Sequence, residues 1–275
     1  MRLDTIINRD ALCALRELPA ESVHCCVTSP PYYALRDYGM DEQIGREDTP
    51  EQYITRLVEV FRELKRVLRP DGTFWLNIAD TYCGTGSKGA YTDPKNPKGR
   101  NGQSLSLARR AAGCKQKDLI GIPWLLAFAL RSDGWYLRSA IIWQKDNPMP
   151  ESVRDRPSRC YENVFLLTKS KSYYYDAAAI AEPIAPPQRR DTGAGAARDT
   201  NTMATVPGTG QGAGHQPGAD GRLRTMKPSC RPTRNKRDVW HINTVPYKGG
   251  HFAAFPPKLA ETCIFGGLSQ GRHCA

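Results

Sequence analysis

The chain has 275 residues, 40% of them hydrophobic, and carries 39 Lys and Arg against 28 Asp and Glu, a formal charge of +11. That length allows one large or two modest domains with a real core, and the charge points to a polyanionic partner, most simply nucleic acid. Nine cysteines, with no Cys-x-x-Cys pair among them, argue against a zinc ribbon; no signal peptide is evident, and the longest apolar run, Ile122 to Leu130, is too short to span a bilayer, so reduced thiols in a cytoplasm and no membrane are expected.

In chain order, Ile6-Ile7 reads as a short strand, with Asp10 at a strand end or helix start and a helix reaching Leu18. Asp10 there is at least a helix N-cap. Val23 to Val27 is a short apolar, β-branched run bounded by proline, which predicts a buried strand. It leads straight into Thr28-Ser29-Pro30-Pro31-Tyr32-Tyr33. Two prolines fix two φ angles and remove two N–H donors. The result is a rigid cluster of acceptors, a hydroxyl before it and two aromatic rings after it, at the carboxyl end of a strand, where open α/β sheets place ligands. A planar ring bearing an exocyclic amine would suit it: the amine donates to the Ser29 hydroxyl and the Pro30 carbonyl, and the ring stacks on Tyr32. A Pro-rich turn or a polyproline ligand is the plain alternative.

Thr49 can cap, and Pro50 can open, an amphipathic helix over Glu51 to Arg69, with Tyr53, Ile54, Leu57, Val58, Phe61, Leu64, Val67 and Leu68 in its apolar stripe. Pro70-Asp71-Gly72 is expected to stop it, and Thr73 to Ile78 reads as a buried strand ending near Asp80. Strand, helix, strand at these lengths predicts a βαβ unit in a parallel sheet. Thr81 to Lys117 is loop-like; its Gly84 to Gly89 run has the wrong spacing for a phosphate loop and suits a basic loop on a nucleic-acid backbone, with Lys88 as a contact. A helix from Pro123 to Ser132 and strands over Trp135–Gln144 and Asn163–Thr168 follow. From 186 to 237 large apolar residues nearly vanish, and ten basic residues face three acidic ones, a surplus of seven. That segment is either a linker or a recognition insertion that orders on its target; Arg189, Arg190, Arg222, Arg224, Lys227, Arg234 and Lys236 are its candidate phosphate contacts. A strand over Arg237–Ile242 and a helix over Pro256–Ile264 close the pattern. The expected domains are a core over 1–185, the basic insertion 186–237, and a return to the core over 238–275.

The Ser29-Pro30-Pro31-Tyr32 stretch resembles the signature of the amino-methyltransferases of DNA, Asp/Asn/Ser-Pro-Pro-Tyr/Phe, and its serine form after Thr28 looks most like the cytosine-N(4) subgroup. Thr28 to Gly39 resembles phage and prophage members. The block from Lys145-Asp146-Asn147-Pro148 to Tyr161-Glu162, and the His251-Phe252-Ala253-Ala254-Phe255-Pro256 run, are similar to the same family. The resemblance implies a Rossmann-like class I methyltransferase fold, α/β with helices on both faces and a permuted motif order. It implies S-adenosyl-L-methionine as cofactor, held by Asp10, Thr28, His251 and Phe252, and a reaction at Ser29, Pro30, Pro31 and Tyr32. Double-stranded DNA is the implied partner, with a cognate restriction endonuclease beside it, and no metal is required.

In that mechanism the acceptors draw the amine N–H bonds out of the ring plane and localise the nitrogen lone pair for attack on the methyl group, with positioning supplying much of the rate. Stacking on Tyr32 offsets part of the cost of flipping the base out of the duplex. A cytosine-C(5) enzyme would need a cysteine after proline, and no Pro-Cys pair occurs. Adenine-N(6) methylation stays open; Ser29 and the large insertion argue against a reading as RNA or protein-glutamine methylation; and an inactive DNA-binding remnant is a further reading. The last supposition comes from the tail: the resemblance calls for a final strand with Asp-Pro-Phe-x-Gly-Ser-Gly-Thr, the sequence ends Gly266-Gly267-Leu268-Ser269 to Ala275 instead, and weak cofactor binding by a truncated chain is the expectation.

Overall fold

The computed structural model describes residues 4–35, 38–40, 42–84, 112–184, 232–247 and 254–268. It divides into two compact units, one of Met1–Ala181 with Asn235–Ala275, the other Glu182–Arg234.

The larger unit begins with α1 (Ala11–Glu17), capped by the Asp10 carboxylate, which accepts from Cys13 N at 3.0 Å. No strand forms before it: Ile6 is 95% exposed and has no neighbour to pair with among the described residues. β1 (Val23–Thr28) follows. α2 (Pro50–Val67) is capped by Thr49, whose hydroxyl accepts from Gln52 N, and it buries Tyr53, Leu57, Phe61, Leu64 and Val67 along one face, as its 3.6-residue periodicity requires.

β2 runs from Leu68 to Ile78, longer than its apolar core suggested. Pro70-Asp71-Gly72 does not precede the strand but forms an irregularity within it, where the partner register jumps from Val23↔Leu68 to Cys25↔Thr73. A proline has no N–H to give a ladder and is accepted at such a break. Gly72 is needed there because a Cβ would meet the His24 carbonyl at 2.9 Å.

α3 (Ile122–Ser132), β3 (Tyr136–Gln144), β4 (Tyr161–Thr168), β7 (Val239–His241) and α4 (Pro257–Gly267) complete the unit. Between β4 and β7 in sequence lie β5 (Glu182–Pro183) and β6 (Thr233–Arg234), an antiparallel pair belonging to the smaller unit. The main sheet has the order β1-β2-β4-β3-β7. β1 is parallel to β2 and β3 to β7, but β4 is inserted antiparallel to both β2 and β3. The sheet is therefore mixed, whereas the succession of helices and strands alone predicts a parallel one.

Strand alternation divides the core in two. Phe74, Leu76, Ile78, Phe165 and Leu167 face α2 and α3, while Trp75, Val164 and Leu166 join Trp143, Trp240, Leu259 and Cys263 on the α4 side. Helices thus cover both faces. No helix among the described residues is long and apolar enough to cross a membrane, and no group of His, Cys, Asp and Glu among them could hold a metal ion.

Candidate active site

The carboxyl ends of β1, β2 and β3 and the amino end of β4 lie side by side. Thr28 pairs with Leu76, Ile78 with Asn163, and Gln144 with Tyr161. Whatever follows β1 and β3, or precedes β4, is therefore delivered to one edge of the sheet, the place where α/β proteins bind ligands.

Ser29 to Tyr32 emerge there and are held from two sides. Buried Tyr53 of α2 donates its hydroxyl to the Pro31 carbonyl at 2.8 Å. Gly45, at φ +98°, passes close beneath: a Cβ on it would lie 2.8 Å from the Tyr32 carbonyl, and its own carbonyl accepts from Ala34 N at 2.7 Å. Both prolines lack N–H groups, and with the Pro31 carbonyl occupied the Pro30 carbonyl is left with no donor among the described residues. Tyr33 corrects the expected pair of stacking rings. It is 1% exposed, packs its ring 5.6 Å from that of Tyr53, and donates to the Asp48 carbonyl. It is a core residue.

Tyr32 sits at the centre of a polar cluster. Its hydroxyl oxygen lies 2.6 Å from Glu162 Oε2 and 3.0 Å from Asn77 Oδ1, and the Ser29 hydroxyl donates to it at 3.1 Å. Asn77 Nδ2 donates to Glu162 Oε2 at 3.0 Å and to the Asn163 carbonyl at 3.2 Å. The Lys145 ammonium pairs with Glu162 Oε1 and stands 4.3 Å from the centre of the Trp143 ring. Burial first, and then the Glu162 carboxylate, hold the Tyr32 phenol well above its ordinary pKa, so it stays protonated.

Asp80, two residues beyond β2, turns away from this cluster. Its carboxylate accepts from Thr81 N, Gly121 N and Ile122 N at 2.8–3.0 Å and so caps α3, whose own N-cap residue is Gly121. Burial raises its pKa even against those donors. Next to it Arg156 and Arg159 lie 4.1 and 5.5 Å from the centre of the Tyr82 ring, both paired with Glu151. Burial, with Cys25 beside it, pushes the Cys26 thiol up to about 12, far from the thiolate a nucleophile needs.

Of the expected cofactor residues, Thr28 ends β1 next to Ser29, and Asp10 caps α1. N–H donation from Cys13 holds the exposed Asp10 carboxyl below its ordinary pKa, so it is an acceptor-only group, as an adenine amine requires. His251 and Phe252 lie outside the described residues, as do Lys88, Arg189, Arg190, Arg222, Arg224 and Lys227. Arg234 pairs with Glu182 within the smaller unit, and Lys236 stands 5.4 Å from the Trp240 ring centre. From the sequence Tyr53 reads only as part of the apolar stripe of α2, and Lys145 and Glu162 only as the ends of a family-like block, with no role in the site. Asn77 escapes that reading, although a polar residue within the apolar run Phe74 to Ile78 is a visible signal.

The fold has a counterpart of known structure. The PvuII DNA methyltransferase (cytosine-N4-specific) superposes with a TM-score of 0.54 over 95% of this chain and 69% of that one, at 15% identity. The fold thus resembles that of a methyltransferase. Residues 23–270 match the DNA methylase family of the N6/N4 type, and the chain belongs to that family. It is 45% identical over 273 residues to the Type II methyltransferase M.Cfr9I of Citrobacter freundii, covering 98% of this chain and 74% of that one. To M.SmaI of Serratia marcescens it is 42% identical over 272 residues, 98% of this chain and 77% of the relative. The family uses S-adenosylmethionine and acts on DNA.

Proposed function

We propose that the chain is a Type II DNA methyltransferase that methylates the exocyclic N(4) amine of cytosine. The observation carrying amine methylation is the acceptor pair at the end of β1: the Ser29 hydroxyl oxygen, and the Pro30 carbonyl, with the Tyr53 hydroxyl bonded to Pro31 instead. An amine between them donates one N–H to each. That geometry pulls the nitrogen lone pair out of conjugation with the ring and fixes its direction, which is where positioning lowers the barrier. S-adenosylmethionine, when bound, supplies the methyl group as an electrophile. Asp10 and Thr28 are the described residues proposed to hold it, Asp10 through an oxygen not given to Cys13, with His251 and Phe252 completing the set. The amine held by Ser29 and Pro30 would be the nucleophile toward that methyl group, and the proton it gives up would pass by way of these acceptors to solvent.

Ser29 in place of Asp supports cytosine, since the serine form of the motif resembles the cytosine-N(4) subgroup. The basic residues of 186–237 are proposed to contact DNA phosphates, and a cognate endonuclease is the proposed companion in the cell. The test is transfer of labelled methyl from S-adenosylmethionine to unmodified mixed-sequence DNA, with the product nucleosides separated. Label in N(4)-methylcytosine is expected. Label in N(6)-methyladenine would overturn the base assignment, and absence of transfer would overturn the enzyme.

A further inference from the structure

We propose that Glu162 and Asn77 are positioning residues that set the donor–acceptor polarity of Ser29 through the Tyr32 hydroxyl, so that the site takes a base edge bearing an amine and rejects one bearing a carbonyl. This rests on the reading that Ser29 faces the target base. A serine hydroxyl has one proton and two lone pairs and can present either to a ligand. Nothing in Ser-Pro-Pro-Tyr itself decides which.

The cluster behind it does. The Asn163 carbonyl can only accept, so it must face Asn77 Nδ2, at 3.2 Å. That orientation directs Asn77 Oδ1 at the Tyr32 hydroxyl, 3.0 Å away. Glu162 Oε2 reaches the same hydroxyl at 2.6 Å, and its carboxylate is paired with Lys145 through its other oxygen. Tyr32 therefore has one proton and two acceptors facing it. Were that proton turned toward Ser29, both acceptors would confront a bare oxygen lone pair in a partly buried site, and unsatisfied buried polar groups are costly. The proton stays on the Glu162 and Asn77 side. The Tyr32 oxygen is then an acceptor only, and Ser29 donates to it at 3.1 Å. With its single proton committed, the Ser29 oxygen offers lone pairs to whatever lies in front of it. The Pro30 carbonyl beside it can only accept as well.

Two acceptors side by side fit the exocyclic amine of cytosine or adenine and repel the carbonyl of uracil or hypoxanthine. A site committed to one hydrogen-bond sense discriminates strongly against the other, because its buried polar groups would be left unpaired. Glu162 and Asn77 act on the base only through Tyr32 and Ser29.

The experiment uses the full chain, S-adenosylhomocysteine and a duplex whose methylated position has been mapped with the wild-type enzyme. Affinity is measured for that duplex and for one carrying the carbonyl counterpart of the target base: uracil if the methyl is on cytosine, hypoxanthine if it is on adenine. The mismatch is the same for every variant, so it cancels in the comparison. Tyr32→Phe removes the link, and Glu162→Gln places an amide that can donate to Tyr32 and release its proton toward Ser29. In both, the preference for amine over carbonyl should fall about 10-fold, the upper end of the worth of one neutral hydrogen bond. Leu57→Ala, which destabilises the fold from the core of α2, should leave the ratio as in wild type. If Tyr32→Phe and Glu162→Gln weaken both duplexes in step, the cluster is structural and the inference falls. Methylation mapped to adenine would overturn the base assigned above while this ratio test still decides the polarity. A Ser29→Ala variant that keeps the wild-type ratio, or a wild type that methylates nothing, would overturn both.

Discussion

Gly267 lies on the face of α4 that rests against β1 and β2. A Cβ added there would stand 2.2 Å from Thr73 Oγ1, 2.9 Å from Cys25 Sγ and 3.1 Å from Trp75 Nε1. Thr73 is fully buried, and its hydroxyl accepts from Trp75 Nε1 at 3.2 Å. A β-branched side chain on a central strand has little rotamer freedom with which to make room, so α4 has to lift away from the sheet. Overpacking of this kind costs about 1–3 kcal/mol. Alanine is the better helix former by about 1 kcal/mol in a helix interior, but Leu268 is already the C-cap and that gain is small here. Gly267→Ala should therefore destabilise the chain by about 1–2 kcal/mol, the overpacking cost less the residual propensity gain. Equilibrium denaturant unfolding measures it. The cause is separable with Thr73→Ala, which removes the colliding oxygen: in that background Gly267→Ala should cost less, by a coupling on the order of 1 kcal/mol. An unchanged midpoint, or an equal cost in both backgrounds, would refute this picture of α4 docking.

Replacing Asp80 by Ala removes the cap of α3 and leaves the Gly121 and Ile122 N–H groups without their acceptor, which should cost about 1–2 kcal/mol in thermal unfolding. Because burial raises the Asp80 pKa above its ordinary value of 3.8, protonated Asp80 favours the folded state. That contribution is complete below 3.8 and is lost as pH rises through the folded value, so the stability of the wild type relative to Asp80→Asn should decline with rising pH across that window; a flat difference would show that Asp80 titrates alike in both states. Tyr53→Phe strips the Pro31 carbonyl of its donor and should cost about 1 kcal/mol of stability, with a slower single-turnover methyl transfer as the Pro-Pro segment loosens. Leu57→Ala, at a position 1% exposed, should cost about 2–5 kcal/mol in denaturant unfolding.

Much of this could be read along the chain because the signals are local. The helical stripe from Tyr53 to Val67, its Thr49 cap, the β-branched run before Ser29 and the Pro-Pro rigidity each depend on residues a few positions apart. Other features depend on distant partners and were not legible. A strand's alternation does not say which way it runs, so β4 passed as one more parallel strand. Ile6-Ile7 has strand-forming residues, but a strand exists only against a neighbour, and none is described there. Pro70-Asp71-Gly72 has the chemistry of a helix stop, and only the pairing with β1 makes it a bulge. The polar cluster joins Ser29, Tyr32, Asn77, Lys145 and Glu162 from four separate places in the chain, so no spacing could announce it. It also reassigns the Tyr32 hydroxyl: sequence offered that residue as a stacking ring, and the structure makes its oxygen the link between Ser29 and Glu162.

The most direct test is single-turnover transfer of labelled methyl to DNA by the wild type and by Ser29→Ala, at saturating DNA and S-adenosylmethionine, with DNA affinity measured alongside. If Ser29 and Pro30 hold the reacting amine, the wild type places label on an exocyclic amine of DNA, N(4) of cytosine under the proposed base assignment. Ser29→Ala then loses roughly 10²-fold or more in rate, the usual effect of removing one preorganised polar contact to the reacting group, while it still binds DNA. Transfer by Ser29→Ala at the wild-type rate would contradict the assignment of the site.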